Sequence, residues 1–317
     1  MKPRIYLAPL QGLTDRTFRK TFKQYFSGID LFFTPFFSFN RDNPVKPAKL
    51  KKQLHDGYPP AKIVPQVLSN SPEAIIRFQK SLSNLGYQRF NLNLGCPYPV
   101  VIKKNKGVAL MSQPQRLEEL ISHIANYSTL SFSVKLRLGL ENPDEIFTVI
   151  EILNRYPVAE VIIHPRLGGQ YYSGDPDHAR FGECLARSKH PVVYNGDIFS
   201  VAGFQKFSLM HPDVNTFMLG RGILRNPFLA MQIKGEALPP EPEKVLYDFQ
   251  KDLFYQLLQD RGKGKYFPQG IKEFWSYLAL SFDDPEKVFD QIKRVNTTAE
   301  YLSAIDNIFS RRKLMIT

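Results

Sequence analysis

Short apolar runs alternate with amphipathic stretches from Ile5 to Leu219. Ile5–Ala8, Leu31–Phe33, Ile63–Val67, Phe90–Leu94, Phe132–Leu136, Val161–His164, Val192–Asn195 and Thr216–Leu219 each read as a strand. Helix signals follow nearly all of them. Thr14 is placed to cap a helix over Asp15 to Tyr25, Ser71 and Pro72 open a second, and Pro114 a third; Asn142 caps a fourth with Pro143 at its first position. Further starts fall near Pro176, Ser200 and Pro227, while Leu31–Phe33 leads into a longer segment rich in proline and lysine. Strands alternating with helices imply right-handed crossovers and a parallel sheet, and the count fits a closed (β/α)8 TIM barrel. A doubly wound sheet usually carries Gly-x-Gly-x-x-Gly after its first strand, and here that turn is Ala8-Pro9-Leu10-Gln11-Gly12.

The texture changes after Lys234. Gly235 to Pro242 holds three prolines and reads as a linker. Val245 to Leu258, Ile271 to Leu280, Pro285 to Val295 and Thr298 to Phe309 then show helical periodicity without strand signals. The expected organisation is a barrel over residues 1–236, a linker over 237–242 and a C-terminal helical bundle over 243–317.

Composition narrows the class. The 317 residues are 43% hydrophobic, enough for a sizeable core. No apolar run approaches the ~20 residues of a membrane helix, and Pro9 breaks Ile5–Leu10 too early for a signal-peptide core, so the expected location is cytoplasmic. The only two cysteines, Cys96 and Cys184, are then better read as thiols than as a disulfide. Lys and Arg total 42 against 30 Asp and Glu, a net charge of +12 that points to a polyanionic partner such as nucleic acid. Lys46, Lys49, Lys51 and Lys52 form one basic cluster, Lys103, Lys104 and Lys106 another, and Arg311, Arg312 and Lys313 a third. Acids and bases nearly balance in the helical region, so the barrel carries most of the excess. No protein partner is indicated, and a monomer is expected.

A barrel brings the C-terminal ends of its strands to one mouth. Collected there, the residues are Pro9 and Gln11, Gln66, Asn93 with Cys96, Lys135 with Arg137, His164, Asn195-Gly196-Asp197 and Gly220-Arg221-Gly222. Glycines after strands seven and eight let backbone N–H groups approach an anion, which points to a phosphate-bearing cofactor. Lys135 interrupts an apolar strand. It reads as a Schiff-base lysine, a cofactor ligand or the partner of a buried acid, with cofactor contact the favoured role. His164 reads either as a structural histidine or as a ligand. The remaining histidines share no metal-ligand spacing, so no catalytic metal is expected. Cys96, between Gly95 and Pro97, is a nucleophile or a proton donor. No paired base is evident in the sequence, and an ordinary thiol is suited to protonating a carbanion. Cys184, inside a helix, reads as structural.

Together these segments resemble the tRNA-dihydrouridine synthases, FMN-dependent barrel enzymes. Ala8-Pro9-Leu10-Gln11-Gly12-Leu13-Thr14-Asp15 resembles their Ala-Pro-Met-x-Gly-x-x-Asp, and Asn93-Leu94-Gly95-Cys96-Pro97 their Asn-x-Gly-Cys-Pro. Val134-Lys135-Leu136-Arg137-Leu138-Gly139 resembles their lysine strand, and Asn195-Gly196-Asp197 with Gly220-Arg221-Gly222 their phosphate site. The resemblance implies that Pro9, Leu10 and Gln11 line the flavin ring, that Gln66, Lys135 and His164 hydrogen-bond it, and that Asn195, Gly196, Asp197, Gly220 and Arg221 hold the FMN phosphate and ribityl tail. It implies Cys96 as general acid, NADPH as transient reductant and tRNA as substrate, with Asn93, Arg137, Lys103, Lys104 and Lys106 as substrate contacts. The stretch Ile271 to Leu278 resembles the branch acting at position 16 of the D-loop. Three positions depart from the pattern: Leu10 replaces Met, Tyr98-Pro99 stands where Ser-Lys is common, and His164-Pro165-Arg166-Leu167 replaces His-Gly-Arg-Thr. The rival readings are a flavin barrel acting on a free pyrimidine, a Schiff-base aldolase using Lys135, and a tRNA-binding protein without catalysis.

Overall fold

A computed structural model of the chain describes residues 2–39, 47–260 and 267–316. Ten parallel strands run β1 (Arg4–Leu7), β2 (Leu31–Phe33), β3 (Phe37–Ser38), β4 (Ile63–Val64), β5 (Gln66–Leu68), β6 (Arg89–Leu94), β7 (Ser131–Leu136), β8 (Val161–Ile163), β9 (Val192–Tyr194) and β10 (Thr216–Leu219). Their order is β3-β5-β6-β7-β8-β9-β10-β1-β2-β4. Every strand expected from the sequence is present, and the third is divided. Pro65 has no N–H to give and separates β4, which pairs with β2, from β5, which pairs with β6. That interrupted segment closes the ring. Thr34 bridges the break by accepting the Gln66 N–H on its hydroxyl at 3.2 Å. The two-residue β3, pairing with β5, has too short a pattern to read in advance.

The helices that follow are α1 (Arg16–Tyr25), α2 (Pro47–Leu54), α3 (Pro72–Ser83), α4 (Pro99–Ile102), α5 (Pro114–Tyr127), α6 (Glu145–Leu153), α7 (His178–Arg187), α8 (Val201–Met210), α9 (Arg221–Arg225) and α10 (Leu229–Ile233). Ser71 and Ser200 cap α3 and α8. Four starts differ from expectation, one of them α10, which opens at Leu229 rather than near Pro227. Asp15, not Thr14, caps α1 by accepting the Phe18 N–H at 3.0 Å. Thr14 instead accepts the Leu10 N–H at 2.8 Å and donates to the Ala8 carbonyl at 3.1 Å, fastening the first mouth loop. Asn142 makes a local turn with the Asp144 N–H, so α6 begins at Glu145 and Pro143 lies ahead of it. Asp177 caps α7, two residues beyond the expected start. The C-terminal part comprises α11 (Pro242–Asp260), α12 (Gln269–Leu278), α13 (Pro285–Arg294) and α14 (Thr298–Arg311), so its first helix already begins in the expected linker. It docks through aromatic edges: Phe18 and Phe22 of α1 lie 6.1 and 6.4 Å from Phe249 of α11. Among the described residues, no helix is long and apolar enough to cross a membrane.

The barrel interior is two-sided. Tyr6, Ala8, Leu31, Phe33, Val64, Ile162, Val193 and Met218 form an apolar cluster. Alternation on β6 and β7 sends Phe90, Leu92, Leu94, Phe132, Val134 and Leu136 into the large core under the helices. Asn91, Asn93, Ser133 and Lys135 occupy the intervening positions, in the register Asn91↔Ser133 and Asn93↔Lys135. A polar wall thus faces an apolar one.

Below α1 lies a fully buried ion pair. Arg19 meets Asp56 at 2.6 Å and also donates to the carbonyls of Thr14 and Gln53, at 3.1 and 3.0 Å. Arg19→Met is predicted to strand the Asp56 carboxylate and lower unfolding free energy by about 3–5 kcal/mol. Denaturant titration checks this, and an unchanged midpoint would show that the pair ties nothing together.

Candidate active site

The C-terminal ends of the strands surround a cleft. Pro9, Leu10, Gln11, Asn93, Cys96, Lys135, Arg137, His164, Asn195, Gly196, Asp197, Gly220 and Arg221 all line it. Four expected residues, Gln66, Lys103, Lys104 and Lys106, do not. Gln66 is fully buried, donating to Asn91 Oδ1 at 2.7 Å and accepting from Asn93 Nδ2 at 2.8 Å, so its amide is spent inside the polar wall. Lys106 is buried too and gives its ammonium to the Phe39 carbonyl at 2.8 Å, which removes it from the solvent-facing basic cluster. Lys103 and Lys104 are exposed and stand outside the cleft lining. Of the first cluster, Lys51 and Lys52 are exposed and Lys52 borders a second cleft; Lys46 lies outside the described residues.

The turn bearing the thiol is held from beneath. Asn93 Oδ1 accepts the N–H groups of Gly95 and Cys96 at 3.0 and 2.9 Å. A Cβ on Gly107, whose φ is +59°, would lie 2.6 Å from the Cys96 carbonyl, so only glycine lets that loop close against the turn. The Cys96 residue is 7% exposed, and burial pushes its thiol up from the ordinary range, against smaller opposing effects of the Tyr98 backbone N–H, Arg137 and Lys135. Cys184 is buried in α7 and pushed up by burial to about 12. Neither cysteine is in a disulfide.

Lys135 and His164 form the basic side. Lys135 has no hydrogen-bond or ion-pair partner among the described residues, and burial, then Arg137, push its ammonium down to about 7. His164 Nδ1 lies 2.5 Å from the Asn195 carbonyl, which requires the proton on that nitrogen. Its Nε2 is then an acceptor, buried and without a partner among the described residues. Burial first, then Arg137 and Lys135, hold the imidazole well below its ordinary value, so it is neutral. Arg137 is fixed by the carbonyls of Gly95 and Leu167, at 3.1 and 2.9 Å.

The opposite end of the cleft carries two guanidiniums joined through one carboxylate. Asp197 accepts two bonds from the buried Arg166, at 3.2 and 2.5 Å, and a third from Arg221. Its carboxylate therefore aligns two guanidiniums, leaving the trio with one net positive charge. A Cβ on Gly196 would overlap the Tyr194 ring, and one on Gly222 would lie 2.2 Å from the Ile198 carbonyl. Arg166 was visible in the sequence only as a member of the His-Pro-Arg-Leu motif. Tyr172, Phe36, Phe199 and Tyr98 also line the cleft, and Arg221 lies 4.2 Å over Tyr172. They stand on loops, where no periodicity announces which way a ring points.

Fold and site together define a barrel enzyme with an anion pocket, a neutral imidazole, an amine and a buried thiol around one cleft. Residues 6–313 match the family described as Dihydrouridine synthase. The chain is 28% identical over 315 residues to a tRNA-dihydrouridine(16) synthase of Salmonella typhimurium, covering 96% of this chain and 99% of that one. It is 25% identical over 315 residues to that of Vibrio parahaemolyticus, covering 95% of each. A morphinone reductase mutant in complex with tetrahydroNAD shares the fold, with a TM-score of 0.51 and 12% identity over 76% of this chain and 90% of that one. The chain belongs to the dihydrouridine synthase family, flavin-dependent oxidoreductases that modify tRNA.

The unpaired lysine has a measurable signature. Unfolded, Lys135 keeps its proton up to the ordinary 10.5, while folded it releases it near 7. Between those values the unfolded state binds more protons, so this group makes stability rise with pH. Flavin-free Lys135→Met is predicted to be more stable than the parent at pH 7.5, with the difference shrinking by pH 9.5. Paired denaturant curves at the two pH values measure it; a pH-independent difference would mean that Lys135 stays protonated in the fold.

Proposed function

We propose that this chain is a tRNA-dihydrouridine synthase that holds FMN in the barrel cleft, takes reducing equivalents from NADPH and reduces a D-loop uridine. Position 16 is the site named for its relatives. The observation that carries the reading is the pairing, on one cleft wall, of a buried unpartnered His164 Nε2 with an unpartnered Lys135 ammonium. Both leave unmet polar capacity that a heteroaromatic ring edge with acceptors and an N–H satisfies. The donor set at the far end fits the phosphate: Gly196 and Gly220 bare their backbones, and Arg221 supplies charge while Asp197 and Arg166 fix it. Pro9, Leu10 and Gln11 form the wall against the ring, and Asn195 orients His164 through its carbonyl. FMN bound there supplies, once reduced by NADPH, the hydride that adds to C6 of the uracil.

The remaining chemistry belongs to the protein. Arg137 faces the cleft beside Cys96 and is suited to bind the uracil edge and steady charge developing on its C4 carbonyl, while Asn93, its amide taken up by Gln66 and the Gly95 and Cys96 N–H groups, holds the turn. Cys96 donates its proton to C5. A thiol pushed up by burial keeps that proton at neutral pH, which suits an acid and works against a nucleophile. Gln66 takes a supporting part, holding Asn93 rather than the cofactor. A stacked uridine cannot enter such a cleft, so the base must leave its helix or loop. The barrel carries the reaction and the helical region the tRNA recognition, with Lys103 and Lys104 near phosphates and affinity falling as salt rises.

Cys96→Ala is predicted to purify with its flavin absorbance intact and to lose at least about 100-fold in dihydrouridine formation, the usual weight of a general acid. Mass analysis of the tRNA reads the result. Undiminished product would assign the proton to another donor.

A further inference from the structure

Tyr98 and Tyr171 are large aromatic side chains left 53% and 41% exposed on two different mouth loops. Tyr98 lines the cleft edge at the N-cap of the one-turn helix α4, fixed between Pro97 and Pro99. Its ring lies 6.3 Å from that of Tyr171, inclined by 58°. Tyr171 sits at φ +49°, a left-handed backbone unfavourable for a bulky side chain, and its hydroxyl reaches the Pro97 carbonyl at 3.5 Å. Two loops thus converge on a pair of solvent-facing rings, one of them held in a strained conformation. Cys96, two residues from Tyr98, is only 7% exposed, and the two residues line the same cleft. Lys103 and Lys104, next in the chain after α4, are exposed.

We infer that Tyr98 and Tyr171 form a stacking rim that takes the base of the nucleotide adjoining the reduced uridine. The inference rests on the functional reading above. Stacking tolerates any base, because every base has a π face, and it stabilises the unstacked backbone conformation that the extruded uridine needs.

The test compares steady-state dihydrouridine formation on tRNA by the flavin-bound protein and its variants. Tyr98→Ala is expected to raise KM roughly 5- to 100-fold, the usual worth of one base stacked on an aromatic ring. Tyr98→Phe, which keeps the ring, restores the parent KM. Tyr171→Gly separates stacking from folding, since glycine accepts the left-handed backbone: its thermal midpoint holds or rises while its KM also rises. In a short D-loop RNA carrying 2-aminopurine next to the target, binding quenches the fluorophore with the parent protein and not with Tyr98→Ala. Product formed by the parent with an equal KM in Tyr98→Ala and Tyr171→Gly overturns the rim alone. No product from the parent overturns the functional reading and the rim with it.

Discussion

Asn93 is the hinge on which the thiol's position depends, and it depends in turn on a buried relay across three strands. Ser133 on β7 accepts from Asn91 on β6 at 2.8 Å, Asn91 accepts from Gln66 on β5, and Gln66 accepts from Asn93, whose own oxygen holds the Gly95 and Cys96 N–H groups. Each amide uses both its donor and its acceptor end. Inside a barrel, away from water, a break at any point leaves unpaired polar atoms costing about 1–3 kcal/mol apiece. The relay therefore specifies one orientation for the cysteine turn, and the strand register that aligns Asn91 with Ser133 and Asn93 with Lys135 sets where that turn meets the amine.

The same interior treats charge in two ways. At the far end, Arg166, Asp197 and Arg221 are mutually satisfied, so a positive surface is present before any ligand arrives. Beside the thiol, Lys135 and the His164 Nε2 are left unsatisfied, and burial holds both toward their neutral forms. An interior that spends hydrogen bonds so fully on the relay and leaves these two groups bare is arranged around a guest with complementary polar edges. On the proposed reading the first feature would anchor an anion and the second would read the ring that comes with it.

Much of this was legible in the chain. Strand ends could be located because alternation on β6 and β7 separates Phe90, Leu92 and Leu94 from Asn91 and Asn93, and because glycines and prolines punctuate the loops. The motif around Cys96 and the paired glycine loops then fell at one mouth once the strands were counted. What escaped depended on side-chain direction. Gln66 and Lys106 carry the right chemistry at plausible places, yet each points inward, toward partners distant in sequence: Asn91 and Asn93 for one, the Phe39 carbonyl for the other. Thr14 and Asn142 have cap-forming side chains that found loop N–H groups first. Tyr172 gave no signal at all, since its place over the cleft follows from a loop conformation and from Arg221.

The central claim is that one cleft joins a flavin, a protonated thiol and a tRNA uridine. Purified protein incubated with NADPH and unmodified tRNA transcript, followed by mass mapping of nuclease fragments, tests it most directly. The account predicts a gain of two hydrogens at a single D-loop uridine. Reduction of a free pyrimidine with the tRNA left unchanged would contradict it.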